Sequence, residues 1–247
     1  SKLNKMKRKN LIVANWKMNP ETLALAKKIF NAARHSAEGL KNTNVVICPP
    51  LPFLFPLAKL NRSKNLLLGV QNICSETKGA FTGEVSAAIV RDGGAEFAII
   101  GHSERRAMSE TSEMIRKKMQ AAFDFGLTPI LCIGETERDK EGGHLSFIRK
   151  QIKESLTGLS KRYLVGLNVA YEPVWAIDKS FKEAMNPTDI HEAVLFLKKV
   201  IGELFGKDIA AGVKILYGGS VETEIAGSIM EYGNVDGFLV GHASLNP

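Results

Sequence analysis

Eight apolar runs, each of strand length and each followed by turn residues and a helical pattern, dictate most of what this chain can fold into. They are LIVAN from Leu11, VVICP from Val45, LLLGVQ from Leu66, FAIIGH from Phe97, LTPILCIGE from Leu127, YLVGLNVAYE from Tyr163, VKILYGGS from Val213 and VDGFLVGH from Val235. The runs are mostly continuous rather than alternating, as strands are when both faces of a parallel sheet are covered. Between them the spacing turns helical. Asn19-Pro20 supplies a cap and a first-turn proline, after which Leu23, Ala26, Phe30 and Ala33 recur on one face. Asn186-Pro187 repeats the device ahead of Ile190, Val194, Leu197 and Ile201. Strand and helix alternate with no break in composition, which predicts an α/β fold: one closed (β/α)8 barrel forming a single domain over residues 1–247. A doubly wound open sheet is the alternative. It would want a glycine-rich turn after an early strand, and the first turn here reads NWKMN.

Composition narrows the function classes. The chain is 45% apolar and 24% charged, an ordinary globular balance that allows a sizeable core. No apolar run approaches the ~20 residues that span a bilayer. The start, SKLNKMKRKN, is basic but lacks an apolar signal core, so a soluble cytoplasmic protein with no membrane partner is expected. The net charge of +7 suits anionic ligands. Its lysines and arginines are scattered through helical stretches such as RKKMQ and FLKKV, with no basic stripe interleaved by aromatics, and no nucleic-acid partner is expected. Cys48, Cys74 and Cys132 are odd in number and widely spaced, which fits neither a metal motif nor a disulfide framework.

In a barrel of this kind chemistry gathers at the carboxyl ends of the strands. Those ends offer Asn15 and Lys17, then Gln71 and Asn72, His102 and Glu104, Cys132 and Glu135, Glu172, Gly218-Gly219-Ser220, and finally Gly241-His242. Each has an ordinary reading: a strand-end charge, a packed histidine, two glycine turns. Together they support a sharper one. Glu172, flanked by Ala170, Pro173, Val174 and Trp175, suits a general base against apolar surface. His102 precedes SERR, which can open a short helical turn; an imidazole at a helix amino end is disfavoured as a cation and can donate a hydrogen bond while neutral. Lys17 offers fixed positive charge to an anion or a developing enolate oxygen. YGGS and VGH place unhindered backbone N–H groups where barrels bind phosphate. There is no Walker sequence, dinucleotide fingerprint or paired acidic metal site, so neither cofactor nor metal is expected. The set suggests proton abstraction next to the carbonyl of a small phosphorylated substrate.

NWKMN, GHSERR, CIGE, AYEPVWAI, YGGSV and DGFLVG.ASL resemble, in order and along nearly the whole chain, the motifs of the triosephosphate isomerase family. The resemblance implies a TIM barrel that interconverts dihydroxyacetone phosphate and D-glyceraldehyde 3-phosphate through an enediolate, a glycolytic and gluconeogenic step without cofactor or metal. It implies Glu172 as the base, His102 as the electrophile, Asn15 and Lys17 as the substrate-binding pair and Glu104 as the carboxylate beneath them. Asp178, Ser220, Gly241 and His242 fall on phosphate-binding positions. A neutral histidine and a closing loop are the family's standard account, not a deduction from these residues. The family also implies a homodimer through the loop at 72–84, which would steady Asn15 and Lys17 from a neighbouring subunit.

Three departures from the family pattern stand out. In AIDKSFKEAMNP, Asp178 replaces a customary phosphate-binding glycine and the segment is longer than usual. A carboxylate near a phosphate dianion repels it, so Asp178 is expected to point outward. His242 replaces a second glycine, its N–H still available to phosphate and its imidazole expected to face away. The sequence stops at ASLNP, leaving the last helix short or missing, which could expose apolar barrel wall. Two alternatives follow: a phosphate-binding barrel with turnover impaired by an altered lid, and a sugar- or indole-phosphate barrel enzyme of another reaction class, which would want paired acidic residues this chain lacks.

Overall fold

The computed structural model describes residues 9–139, 141–176 and 185–246. The strands are β1 (Asn10–Asn15), β2 (Thr43–Cys48), β3 (Leu66–Val70), β4 (Phe97–Ile100), β5 (Thr128–Ile133), β6 (Asn168–Tyr171), β7 (Lys214–Tyr217) and β8 (Gly237–Val240). Every neighbouring pair is parallel, and β8 returns to β1 in the register Leu11 to Gly237 through Ala14 to Val240, closing the barrel. The closed eight-stranded barrel expected from the eight apolar runs is the one present; the open sheet is not.

Helices α1 (Leu23–Glu38), α2 (Leu51–Leu60), α3 (Ala87–Asp92), α4 (Ser103–Ala107), α5 (Ser112–Asp124), α6 (Gly143–Leu156), α7 (Lys161–Leu164), α8 (Pro187–Phe205), α9 (Lys207–Gly212) and α10 (Thr223–Tyr232) occupy the connections. After β8 comes a 3₁₀ turn over His242–Leu245. The strands are apolar on both faces for two separate reasons. Val13, Val46, Ile99, Ile130 and Leu216 fill the barrel interior. Their neighbours Ala14, Ile47, Ile100, Leu131 and Ile215 pack outward with the helix-facing core.

Two boundaries differ from the sequence reading. The run from Tyr163 is not one long strand: residues through Leu164 belong to α7, Gly166 turns the chain at φ 79°, and β6 begins at Asn168. At α1 the cap is Thr22, whose hydroxyl accepts the Leu25 N–H at 3.3 Å, not Asn19. At α8 the expected device is present, with Asn186 Oδ1 accepting the Asp189 N–H at 2.9 Å and Pro187 in the first turn.

A buried ion pair ties the start of the 72–84 segment to the barrel wall. Lys118 on α5 donates to Glu110 and, at 2.7 Å, to Asn72 Oδ1, with both charged side chains at most 5% exposed. Removing one partner strands the other charge in an apolar setting. Lys118→Met should therefore cost about 3–5 kcal/mol in urea unfolding. A loss below about 1 kcal/mol would show that water reaches Glu110.

Candidate active site

A cavity of about 380 Å³ opens at the carboxyl ends of the strands and is lined by Asn15, Lys17, His102, Glu172, the Gly218–Glu222 segment and Leu239–Ala243. The topology explains the convergence, because parallel strands all deliver their ends to the same rim.

On the β1 side Lys17 holds an unusual backbone, φ 52°, which few non-glycine residues adopt. Two contacts brace it. Its N–H donates to Asn15 Oδ1 at 3.0 Å, and Gln71 Nε2, from the end of β3, donates to its carbonyl at 2.8 Å. The ammonium thereby reaches over the barrel mouth to Glu104 Oε1 at 2.7 Å.

His102 follows β4 and caps α4. Its Nδ1 accepts the Glu104 N–H at 3.2 Å, so Nδ1 is an acceptor and the ring proton belongs on Nε2. That Nε2 lies 3.4 Å from Glu172 Oε1. The other carboxylate oxygen, Oε2, accepts the Ser103 N–H at 3.1 Å, at the first residue of α4. Glu172 is almost wholly buried, its side chain 3% exposed. Gly218 lies hard against it; a Cβ there would come within 2.9 Å of Glu172 Cγ, so only glycine lets β7 pass the carboxylate. Behind it, burial and the neighbouring Glu172 push the Cys132 thiol well above its usual range, which keeps it protonated and inert.

Glu135, at the end of β5, anchors the chain that leaves Glu172. It accepts the Tyr171 hydroxyl at 2.9 Å and the Trp175 indole N–H at 2.9 Å, while the Arg138 guanidinium stands 5.7 Å from the Trp175 ring centre. Trp175 is half-buried by these contacts. Across the rim, Ser220 Oγ and N–H both bond the Ala176 carbonyl, at 3.0 and 3.3 Å, joining the end of β7 to that same chain.

Of the residues singled out by sequence, Asn15, Lys17, His102, Glu172, Ser220, Gly241 and His242 all line the cavity, and Glu104 adjoins it through Lys17. Asp178 lies outside the described residues. Gln71, Ser103 and Glu135 contribute contacts that the sequence reading had not given roles. Ser103 does so through its backbone N–H, which carries no side-chain signal. Among the described residues no group of His, Cys, Asp and Glu is arranged to hold a metal ion, and no helix is long and apolar enough to cross a membrane. The arrangement places a buried carboxylate beside a hydrogen-bond donor, with a cation on the wall of the same cavity.

Comparison with known proteins agrees with the motifs. The family model described as triosephosphate isomerase matches residues 10–247. The chain is 43% identical to the triosephosphate isomerase of Lactococcus lactis subsp. lactis, over 97% of this chain and 95% of that one. It is 40% identical to that of Carboxydothermus hydrogenoformans, over 96% and 94%, and 38% identical to that of Dictyoglomus thermophilum, over 97% and 96%.

Proposed function

The chain belongs to the triosephosphate isomerase family, and we propose that it interconverts dihydroxyacetone phosphate and D-glyceraldehyde 3-phosphate with Glu172 as base, His102 as electrophile and Lys17 as fixed cation. The observation that carries this assignment is the contact between Glu172 Oε1 and His102 Nε2 at 3.4 Å, at the floor of a cavity with Lys17 on its wall.

Glu172 takes a proton from C1 of the ketone, and the C–H electron pair becomes the C1–C2 double bond. The carbonyl π electrons move to oxygen, where the His102 Nε2–H donates and the Lys17 ammonium balances the developing charge. A neutral imidazole suits this task, since the oxygen it polarises and the donor then approach each other in basicity. His102 passes a proton between the two enediolate oxygens, and Glu172 returns its proton to C2, giving the aldehyde. Nothing is consumed, so the residues suffice without cofactor or metal. Asn15 and Glu104 hold Lys17 in place, while the backbone N–H groups at Gly241 and His242 receive the phosphate. The lid expected after Glu172 falls largely on residues 177–184, outside the described residues.

The 72–84 loop is the proposed homodimer contact. Cys74 N–H bonds the Val85 carbonyl at 2.8 Å, fixing the loop base, and Phe81 remains 46% exposed at its tip. Light scattering should give twice the mass of one chain; a monomer would remove the loop from this role. The three free, buried cysteines support a reducing, cytoplasmic setting. A coupled assay with either triose phosphate tests the activity itself, and absence of turnover by the natural chain would overturn it.

A further inference from the structure

Strand β5 outruns its neighbour. β4 pairs with it from Phe97 opposite Thr128 to Ile100 opposite Leu131, and there β4 stops. Gly101 takes φ 75° and the chain turns away toward α4. Past that point the backbone groups of β5 still alternate in direction from residue to residue. Ile133 faces β6, where its carbonyl accepts the Glu172 N–H at 2.8 Å. The Cys132 carbonyl and the Gly134 N–H face the side that β4 has left, where no strand remains to pair with them.

Two side chains stand in for the missing strand. Arg106, on α4, donates from its guanidinium to the Cys132 carbonyl at 3.1 Å and to the Gly101 carbonyl at 2.9 Å. Gln151, on α6, accepts the Gly134 N–H on Oε1 at 3.0 Å and is only 6% exposed. A buried N–H that loses its acceptor must move or stay unpaired, so this bond fixes where the β5 rim ends. The rim in turn carries Glu172. Gly134 lies against the Glu172 backbone, and Glu135 accepts the Val174 N–H at 2.9 Å and holds the Trp175 indole through its carboxylate. Packing alone does not fix the carboxylate, because a cavity of about 310 Å³ lies beside it, bordered by Ser103, Arg106, Cys132, Gln151 and Glu172 itself.

We propose that Gln151 is a positioning residue for the isomerisation: by completing the β5 edge at Gly134 it sets the place of the base. The inference rests on reading Glu172 as that base. Gln151 does not line the substrate cavity, so it reaches the reaction only through the rim. Lys17, Gly241 and His242 belong to the ends of β1 and β8, and substrate binding is left to them.

Gln151→Leu removes the acceptor. It should lower kcat about five- to fiftyfold, less than the ~10²-fold that a displacement of about 1 Å can cost. KM should stay within about twofold, because the loss falls on the transition state. Gln151→Asn keeps an amide but withdraws it by one methylene, and should show the same split without the packing change that leucine brings. A smaller folded fraction would also lower kcat at constant KM, so both substitutions are repeated on Glu172→Gln. There the base is already gone and its position no longer matters. The further loss should be below about twofold, whereas unfolding would remove the same factor from both backgrounds. Unchanged kcat in both Gln151 variants, a rise in KM alone, or equal factors in the two backgrounds overturns the role of Gln151. Full activity of Glu172→Gln overturns instead the base assignment on which that role rests, and absent turnover by the natural chain overturns the activity itself.

Discussion

Glu172→Gln should lower kcat by about 10²- to 10⁴-fold while KM stays within a few-fold. The amide matches the carboxylate in size, and its oxygen can still accept the Ser103 N–H that Glu172 Oε2 accepts at 3.1 Å. The fold and the cavity are therefore retained, and what is lost is the capacity to take a proton from carbon. That is an interaction needed only in the transition state, so the loss belongs in kcat. Glu172→Asp separates proton affinity from position. It keeps a carboxylate but withdraws it by one methylene from His102, and a displacement of about 1 Å can cost about 10²-fold. Both are read in the coupled assay with each triose phosphate. Full activity of Glu172→Gln would move the base elsewhere in the cavity, and a rise in KM with unchanged kcat would make Glu172 a binding group.

Much of the barrel was legible because its constraint is repeated. Each strand is covered inside and outside, so each reads as a continuous apolar run, and eight of these leave few topologies. The same feature misled at Tyr163, where apolarity ran unbroken through a helical turn and concealed the Gly166 reversal. Asn19-Pro20 misled differently: it has the composition of a helix start, but Thr22 lies three residues before Leu25 and takes the cap.

In the cavity, side chains with distinctive chemistry could be found from their place at strand ends. The contacts that set their geometry could not. The Ser103 N–H on Glu172 and the Gln71 amide on the Lys17 carbonyl involve backbone groups that every residue possesses, and only the fold selects which ones are used. The positive φ of Lys17 is likewise invisible in a residue type that seldom adopts it. Asp178 belongs to the part of the reading that lies outside the described residues.

Gly134, the third residue of CIGE, ties the stability of the barrel to the position of Glu172. Where β5 ends, its backbone lies flat against that of Glu172, and a Cβ there would fall 1.7 Å from the Glu172 carbonyl oxygen and 2.4 Å from its carbonyl carbon. Neither neighbour is the end of a flexible side chain. To admit a methyl group, β5 and β6 must part at the rim, straining the bonds from Glu172 N–H to the Ile133 carbonyl at 2.8 Å and from Val174 N–H to the Glu135 carbonyl at 2.9 Å. The Gly134 N–H would also shift from Gln151 Oε1, now at 3.0 Å. Gly134→Ala should therefore cost about 3 kcal/mol or more. For a domain of this size that lowers Tm by about 6–12 °C, and kcat should fall with it because the carboxylate's own backbone is what moves. Gly227, exposed inside α10 with nothing near its would-be Cβ, is the control: Gly227→Ala should stabilise by about 0.5–1 kcal/mol. If Gly134→Ala melted at the natural temperature with full activity, the close approach of β5 to Glu172 would not exist in solution. The position of the carboxylate would then have to be set from the Ser103 side alone.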